Sequence, residues 1–318
     1  MNSQTIERSA KKFGPYLVFI AAMLWATDAP FRVHLTQSLS SNFIVLGEHF
    51  FDILVAIPIL VVNAKEIKKL GPKQWAAAIV IAVGGSALAS IAFTQAFHYV
   101  NPSVAILLQK LQPIIAIGLA ASLLQESLGR NFWLWALLAI VGAYVISFPG
   151  LRPQVFPGET LNPNVIGVSL ALVAAVLWGA STVLGKYVLG SVDFKVMTSL
   201  RFILAFVFLV ILNITQHSLP AWSAVSGTDW LFLLIIAITS GVVSLFIYYR
   251  GLSYTKASVA TLAELGFPMA AVIVNWIFLK DALSQMQLVG MAILLFAIFR
   301  LAHVNAESAA IVAQPQSV

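Results

Sequence analysis

The sequence predicts an all-α integral membrane protein, with ten transmembrane helices arranged as two inverted five-helix repeats around a central cavity. Three observations support this fold class. The chain is 60% hydrophobic and 9% charged, whereas soluble domains are roughly 25% charged. Its polar residues separate ten apolar runs, most of them close to the 20 or so residues that cross a bilayer. The motifs of the first half of the chain return in the second half.

The ten runs differ little in length, and each is predicted to form one membrane-spanning helix. They cover residues 15–34, 42–63, 74–97, 103–123, 131–149, 164–189, 195–213, 229–250, 257–279 and 285–303. The polar tail, 304–318, contains Pro315 and is predicted to be a disordered cytoplasmic segment.

The repeat is visible in short motifs at a nearly constant offset. Leu24-Trp25 returns as Leu177-Trp178, and the stretch that leads to Pro113 returns in the stretch that leads to Pro268. These matches divide the chain into a first repeat, 1–149, and a second repeat, 164–303. Because each repeat has an odd number of helices, the second must be inverted relative to the first.

Lysine and arginine predict the orientation in the membrane, since they are enriched in cytoplasmic connections. Thirteen of the 18 fall on the side of the two termini, so both termini are predicted to be cytoplasmic. These thirteen are Arg8, Lys11, Lys12, Lys65, Lys68, Lys69, Lys73, Arg130, Lys186, Lys195, Arg250, Lys256 and Arg300. The net charge of +6 is therefore a topology signal rather than a sign of nucleic-acid binding.

Several ionisable residues lie well inside the predicted helices, where each costs about 2.5–3.5 kcal/mol to insert and usually faces a cavity or a partner. They are Asp28, Glu48, His49, Asp52, Lys110, Arg201 and Glu264. Depth along the helices predicts two ion pairs, one joining Arg201 to Glu264 and one joining Lys110 to Glu48 or Asp28. These groups either hold helices together as gates, bind a substrate, or couple transport to protons through Glu48, Asp52 or Glu264.

Helical spacing places these groups on polar faces that point to one shared cavity. Repeated tryptophans and nearby tyrosines are predicted to supply its aromatic walls. The predicted cavity residues are Trp25, Asp28, Glu48, Asp52, Tyr99, Gln109, Lys110, Gln112, Trp178, Tyr248, Tyr254, Glu264 and Asn275. Pro113 and Pro268 lie mid-helix at matching positions, and the pair is predicted to act as hinges.

These features resemble the drug/metabolite transporter superfamily, in its ten-helix EamA-like form. The resemblance covers about residues 15–303 and is carried by the paired Leu-Trp motifs, the two prolines, and the acidic turns at Glu126 and Asp281. It implies a secondary transporter that exports small organic metabolites across a bacterial inner membrane. Within the superfamily, the chain looks most like aromatic amino acid exporters of the YddG type.

The mixed cavity favours amino acids, aromatic or otherwise apolar, as substrates of alternating access. The alternative is a multidrug or toxic-cation efflux carrier of the same superfamily. An enzyme is not expected, because the chain has no HExxH motif, and no cofactor or metal is expected. The expected partners are a small-molecule substrate and the lipid bilayer, with the protein a monomer or weak homodimer.

Overall fold

The computed structural model describes residues 3–126, 128, 131–151, 161–221, 224–280 and 282–312. Within these ranges the chain forms ten principal helices and no β-strand. The first half contains α1 (Ser3–Trp25 and Ala29–Leu35), α2 (Ser41–Val62), α3 (Pro72–Ala96), α4 (Pro102–Gln109 and Gln112–Leu123) and α5 (Phe132–Ser147). The second half contains α6 (Pro163–Val188), α7 (Phe194–Thr215), α8 (Gly227–Ser253), α9 (Ala257–Ala263 and Gly266–Leu279) and α10 (Gln285–Val312).

Eight of these helices are long and apolar enough to cross a membrane, and α5 and the apolar part of α10, Gln285–Leu301, are shorter. The predicted all-α fold with two sets of five helices is therefore confirmed.

The sequence at the helix ends explains where the helices begin. Asn101 and Asn162 cap α4 and α6, and each is followed by a proline in the first helical turn.

The last helix continues further than predicted. Residues 304–312 extend α10 to Val312 instead of forming part of an irregular tail. The physical reason is that Ala306, Glu307, Ala309 and Ala310 favour a helix and that the first proline comes only at Pro315. Residues 313–318 of the predicted tail lie outside the described residues.

The two mid-helix prolines mark breaks in their helices. α4 breaks at Lys110 and Leu111, and α9 breaks at Glu264 and Leu265, in each case shortly before the proline. Proline removes one backbone donor and its ring crowds the carbonyl four residues earlier, so the regular ladder stops there. α1 also breaks, after Trp25, and its second segment again has a proline in its first turn.

α3 and α8, the third helices of the two repeats, each contain a π-helical segment. The segments are Ile81–Leu88 in α3 and Ala237–Val243 in α8. Both contain glycine and serine, which leave room for the wider turn. π segments are rare and concentrate at functional sites.

The halves pack with an approximate two-fold relation. The π segment of α3 packs against α6 and α7, and the π segment of α8 packs against α1 and α2. Equivalent helices also meet directly, since α2 contacts α7 and α5 contacts α10. This arrangement brings the third helix of each repeat between the first two helices of the other repeat, at the centre of the protein.

α5 and α10 approach each other closely at two glycines. A Cβ on Gly142 would lie 2.6 Å from the backbone nitrogen of Leu294, and one on Gly290 would lie 2.9 Å from the backbone nitrogen of Ile146. Small residues allow such backbone contact between membrane helices. The two glycines therefore allow the backbones of α5 and α10 to pack in contact.

The contact predicts that Gly142→Ala destabilises the protein. The added methyl group meets backbone atoms that cannot rotate away, which costs about 1–3 kcal/mol. The measurement is the midpoint of thermal unfolding in detergent. Gly118→Ala is the matched control, because a Cβ on Gly118 would meet nothing within 4 Å. Equal midpoints for the two variants would contradict the proposed contact.

Candidate functional site

A central cavity of about 140 Å³ lies between the two halves. Helices α1, α2, α3, α4, α6, α7, α8 and α9 all contribute to its walls. Its polar side chains are Asp28, Arg32, Glu48, His49, Asp52, Ser86, Ser90, Gln109, Gln112, Ser181, Thr182, Arg201 and Ser240. Its aromatic side chains are Trp25, Phe93, Trp178, Phe202, Tyr248, Tyr249 and Phe267.

Most of the predicted cavity residues lie together in this wall. Those that line the cavity are Trp25, Asp28, Glu48, Asp52, Gln109, Gln112, Trp178 and Tyr248, and the predicted gating residue Arg201 joins them. Glu48, Asp52 and Arg201 are buried, each less than 7% exposed. The structure brings these side chains together, and their roles remain predictions.

Five predicted residues do not line the cavity. Lys110 is buried behind the wall, with Nζ 4.4 Å from the ring centre of Phe267. Glu264 also lies one layer back, and Asn275 donates to the Ser103 hydroxyl at 3.1 Å. The prediction assumed a continuous α9 that would carry Glu264 and Asn275 on one face, and the break after Ala263 removes that register.

The two remaining tyrosines were also placed wrongly. Tyr99 lies in the turn after α3, against Gly167 of α6. Tyr254 follows the end of α8 and is 39% exposed. Both side chains lie beyond the ends of their helices, whereas the cavity is at the centre.

Arg32 binds two carboxylates at one end of the cavity. Its guanidinium lies 2.8 Å from Glu48 Oε1 and 3.0 Å from Asp28 Oδ2, and it also donates to the Thr94 hydroxyl at 2.8 Å. The predicted ion pair between Lys110 and Glu48 or Asp28 is therefore wrong, because the partner of both carboxylates is Arg32. The break in α1 begins a new helical segment after Asp28, so Arg32 lies one turn further along and is 5% exposed rather than at the membrane surface.

Arg201 has no carboxylate partner among the described residues. It donates to the hydroxyls of Ser86 at 2.5 Å and Tyr249 at 2.8 Å, and to the carbonyl of Gly85 at 3.0 Å. The predicted ion pair with Glu264 is thus wrong. Glu264 instead accepts hydrogen bonds from Tyr248 at 3.0 Å and Gln112 at 3.2 Å.

The π segment of α3 explains the position of Arg201. In a π-helical turn the backbone ladder is shifted, which frees carbonyl groups for other donors. The Gly85 carbonyl also accepts a hydrogen bond from the indole nitrogen of Trp178 at 2.8 Å. One backbone oxygen therefore binds both an aromatic wall residue and the buried arginine.

Two aromatic pairs line the cavity and have fixed positions. Trp25 and Tyr248 have ring centres 5.2 Å apart, and Phe93 and Trp178 are also 5.2 Å apart. The Tyr248 hydroxyl is held by Glu264 and lies 3.1 Å from the Thr182 hydroxyl. Such walls can contact a flat ring while the amide and hydroxyl groups orient it.

Sequence reasoning did not include several of these residues. Spacing puts Arg32 on the same face of α1 as Trp25 and Asp28, but the predicted cavity residues omit it, although its position four residues after Asp28 is typical of a helical ion pair. The predicted cavity residues also omit Ser86, which follows two glycines in α3, and Tyr249, which follows the predicted residue Tyr248. For Ser181 and Thr182 of α6, the only signal was that they lie close to Trp178 in the sequence.

A buried polar cavity between two inverted repeats is the architecture of a membrane transporter. The chain belongs to the EamA-like transporter family, whose model matches residues 12–148 and 165–302. This family lies within the drug/metabolite transporter superfamily, so the predicted superfamily is confirmed. The protein is therefore a multi-pass membrane transporter and not an enzyme.

Curated relatives and a solved structure agree with this assignment. The chain is 31% identical over 296 residues to the riboflavin transporter ImpX of Fusobacterium nucleatum, covering 92% of this chain and 98% of that protein. It is 22% identical over 291 residues to the uncharacterized transporter YetK of Bacillus subtilis, covering 91% and 87%. A crystal structure that is 18% identical has the same fold, with a TM-score of 0.66 over 95% of this chain and 99% of that one. The predicted likeness to amino acid exporters is not tested by these matches.

The Arg32–Glu48 contact predicts strong energetic coupling. Arg32→Gln leaves the carboxylates of Asp28 and Glu48 buried without their cation, which costs about 3–5 kcal/mol. Glu48→Gln should cost less, because Arg32 keeps its ion pair with Asp28. The double variant is expected to recover about 1–3 kcal/mol of this cost in a double-mutant cycle of unfolding free energies.

Two further cycles serve as controls for this coupling. The exposed pair Lys69–Glu66, with side chains 57% and 30% exposed, should couple by less than about 1 kcal/mol. Arg201 and Glu264 should give additive effects. Additive effects for Arg32 and Glu48 would contradict the observed pair.

The adjacent glycines of α3 give a second prediction. A Cβ on Gly85 would lie 2.0 Å from Ser181 Oγ, whereas a Cβ on Gly84 would lie 3.5 Å from its nearest neighbour, Leu177. Gly85→Ala should therefore disturb the bonds of Trp178 and Arg201 and speed amide hydrogen exchange in α3, as measured by mass spectrometry. Gly84→Ala should leave the exchange rates unchanged, and equal rates for both variants would oppose this interpretation.

Proposed function

We propose that the protein carries a small organic metabolite with a flat aromatic ring and a polar chain, and that riboflavin is the leading candidate. The observation that carries this proposal is the similarity to a riboflavin transporter along nearly the whole of both chains. The cavity supports it, because two aromatic pairs stand beside the amide groups of Gln109 and Gln112. The flavin ring is flat and apolar on its faces and carries hydrogen-bonding atoms along one edge.

An amino acid, aromatic or otherwise apolar, is the second candidate, and its export is the direction we expect from the family resemblance. It is favoured by two opposite charges without ion-pair partners among the described residues, Asp52 and Arg201. A zwitterion would present its ammonium group to Asp52 and its carboxylate to Arg201. Efflux of a toxic cation has less support, because Arg32 offsets one of the two negative charges of Asp28 and Glu48.

Alternating access is the proposed mechanism. Arg32, with Asp28 and Glu48, lies near the end of the cavity opposite the termini. Arg201, with Ser86 and Tyr249, lies nearer the side of the termini. Each group could therefore close one mouth of the cavity. The cavity of about 140 Å³ is smaller than the roughly 300–1,000 Å³ of sites for drug-sized ligands. A flavin would therefore need the cavity to widen, and the matching breaks before Pro113 and Pro268 are the proposed hinges.

The proposal also covers the arrangement in the membrane. The two repeats, 1–149 and 164–303, span it in opposite senses with both termini cytoplasmic, as the lysine and arginine distribution indicates. We propose a monomer or weak homodimer, with proton coupling through Glu48, Asp52 or Glu264 as one way to supply energy.

The test is transport into liposomes containing the purified protein, with labelled riboflavin, tryptophan, phenylalanine, threonine and the cation ethidium offered separately. Riboflavin should accumulate in a saturable manner, with and without a pH gradient compared. Trp178→Ala should reduce its rate by about tenfold through loss of an aromatic wall. Trp276→Ala, at a residue 63% exposed on the outer surface, is the matched control and should transport normally.

The outcomes separate the candidates. Transport of tryptophan or phenylalanine without riboflavin would replace the first candidate by the second, and transport of ethidium alone would favour the third. Failure of all five compounds would refute the proposal. Orientation is controlled with Lys65→Cys, which places a single cysteine in a chain that has none and should be labelled only from the cytoplasmic face.

A further inference from the structure

Five buried polar atoms of cavity-lining residues make no hydrogen bond to the described residues. Glu48 Oε1 lies in the ion pair with Arg32, and Gln109 Oε1 is on α4. The other three, His49 Nε2, Asp52 Oδ1 and Ser240 Oγ, are on α2 and α8, and each atom is buried. Buried polar atoms in native proteins are nearly always satisfied, and those that are not require an explanation. Because these three line the cavity, a bound ligand is the natural partner.

The three atoms lie on neighbouring elements. His49 and Asp52 are three residues apart on one face of α2. Asp52 Oδ1 lies against the π segment of α8, where a Cβ on Gly241 would come within 2.5 Å of it. Ser240 is the residue before Gly241. The wide π turn and the glycine thus bring the carboxylate and the serine hydroxyl to the same part of the wall.

Two of the three atoms are acceptors. His49 Nδ1 lies 2.9 Å from the Val45 carbonyl, which can only accept, so Nδ1 carries the proton and Nε2 offers a lone pair. Asp52 is an acceptor when ionised. Arg201 is close enough to act on Asp52 electrostatically but lies beyond ion-pair distance, and three of its five N–H groups are bound to Ser86, Tyr249 and Gly85.

We propose that His49, Asp52 and Ser240 form a subsite that binds the hydrogen-bond-donating chain of the substrate. The inference rests on the proposed function and adds how the substrate lies in the cavity. The donors are the hydroxyl groups of a polyol chain, as in riboflavin, or the ammonium group of an amino acid. The ring lies against Trp25 and Tyr248.

The spacing along α8 favours the polyol. Gly241 and Tyr248 are seven residues apart, so they share a face of the helix and are separated by roughly 10 Å along its axis. A ring against Tyr248 would need a chain of several atoms to reach Asp52. The hydroxyl-bearing chain of riboflavin has that length, whereas the ammonium group of tryptophan lies close to its ring.

The experiment compares ligands with and without the donors. The purified protein in nanodiscs is titrated with riboflavin and with lumiflavin, which has the same ring and no hydroxyl chain. The native protein should bind riboflavin at least about tenfold more tightly, because lumiflavin leaves the acceptors unpaired. Asp52→Asn should weaken riboflavin by about tenfold and lumiflavin by less than about twofold, so that the preference is lost.

Two serine variants provide the second test and its control. Ser240→Ala removes the hydroxyl in the subsite and should weaken riboflavin by about threefold without affecting lumiflavin. Ser199→Ala also removes a buried hydroxyl without a partner among the described residues, but Ser199 does not line the cavity. It should leave both affinities unchanged. If Asp52→Asn does not fold, Ser240→Ala and the preference of the native protein decide the question.

The results distinguish this inference from the proposed function. Equal weakening of both flavins by Asp52→Asn, or no preference in the native protein, would overturn the subsite while leaving flavin transport intact. If neither flavin binds, tryptophan is compared with indole-3-propionate, which lacks the ammonium group, and the same loss of preference is expected. Binding of neither pair would refute the proposed function and the subsite together.

Discussion

Inside a bilayer, no water is available to hydrogen-bond an unpaired backbone amide or carbonyl of a helix. Wherever a helix departs from regular geometry, its free backbone groups must therefore bond to other parts of the protein or face a cavity. In the described part of the chain, the departures are the break in α1, the breaks in α4 and α9, and the π segments of α3 and α8. Residues at or beside each of them line the central cavity. The irregular backbone is thus concentrated where the two halves meet, and it is what shapes the site.

The two halves share a fold but differ in their charges. Glu48 and Arg201 occupy equivalent places in the repeats, yet Glu48 pairs with Arg32 whereas Arg201 is held by hydroxyl and carbonyl groups. Arg32 has two carboxylates within ion-pair distance, whereas Arg201 has none in the part of the chain that the structure describes. One end of the cavity is therefore rich in negative charge and the other end carries a positive charge that only dipoles offset. Any asymmetric substrate will experience these two ends differently.

The fold could be predicted from the sequence because membrane insertion restricts it to apolar helices, and an odd number of helices per repeat dictates inversion. Most of the residues that line the cavity could be predicted from helical spacing, because a regular helix fixes which side chains share a face. The ion pairs could not be predicted, since depth in the membrane says nothing about rotation around a helix axis. The breaks at Lys110 and after Ala263 changed that rotation. The π segments had no sequence signal stronger than glycine beside serine.

The Gly85 carbonyl has one further consequence. A carbonyl oxygen has two lone pairs, and here Trp178 and Arg201 take one each. The oxygen is therefore saturated, and the two donors compete for its electron density. Their contributions to stability will be non-additive, because loss of one donor allows the other to bind more strongly. A movement of the Arg201 side chain would therefore change the hydrogen bond of the Trp178 indole in the cavity wall. The two side chains are linked through one oxygen atom rather than through a chain of contacts.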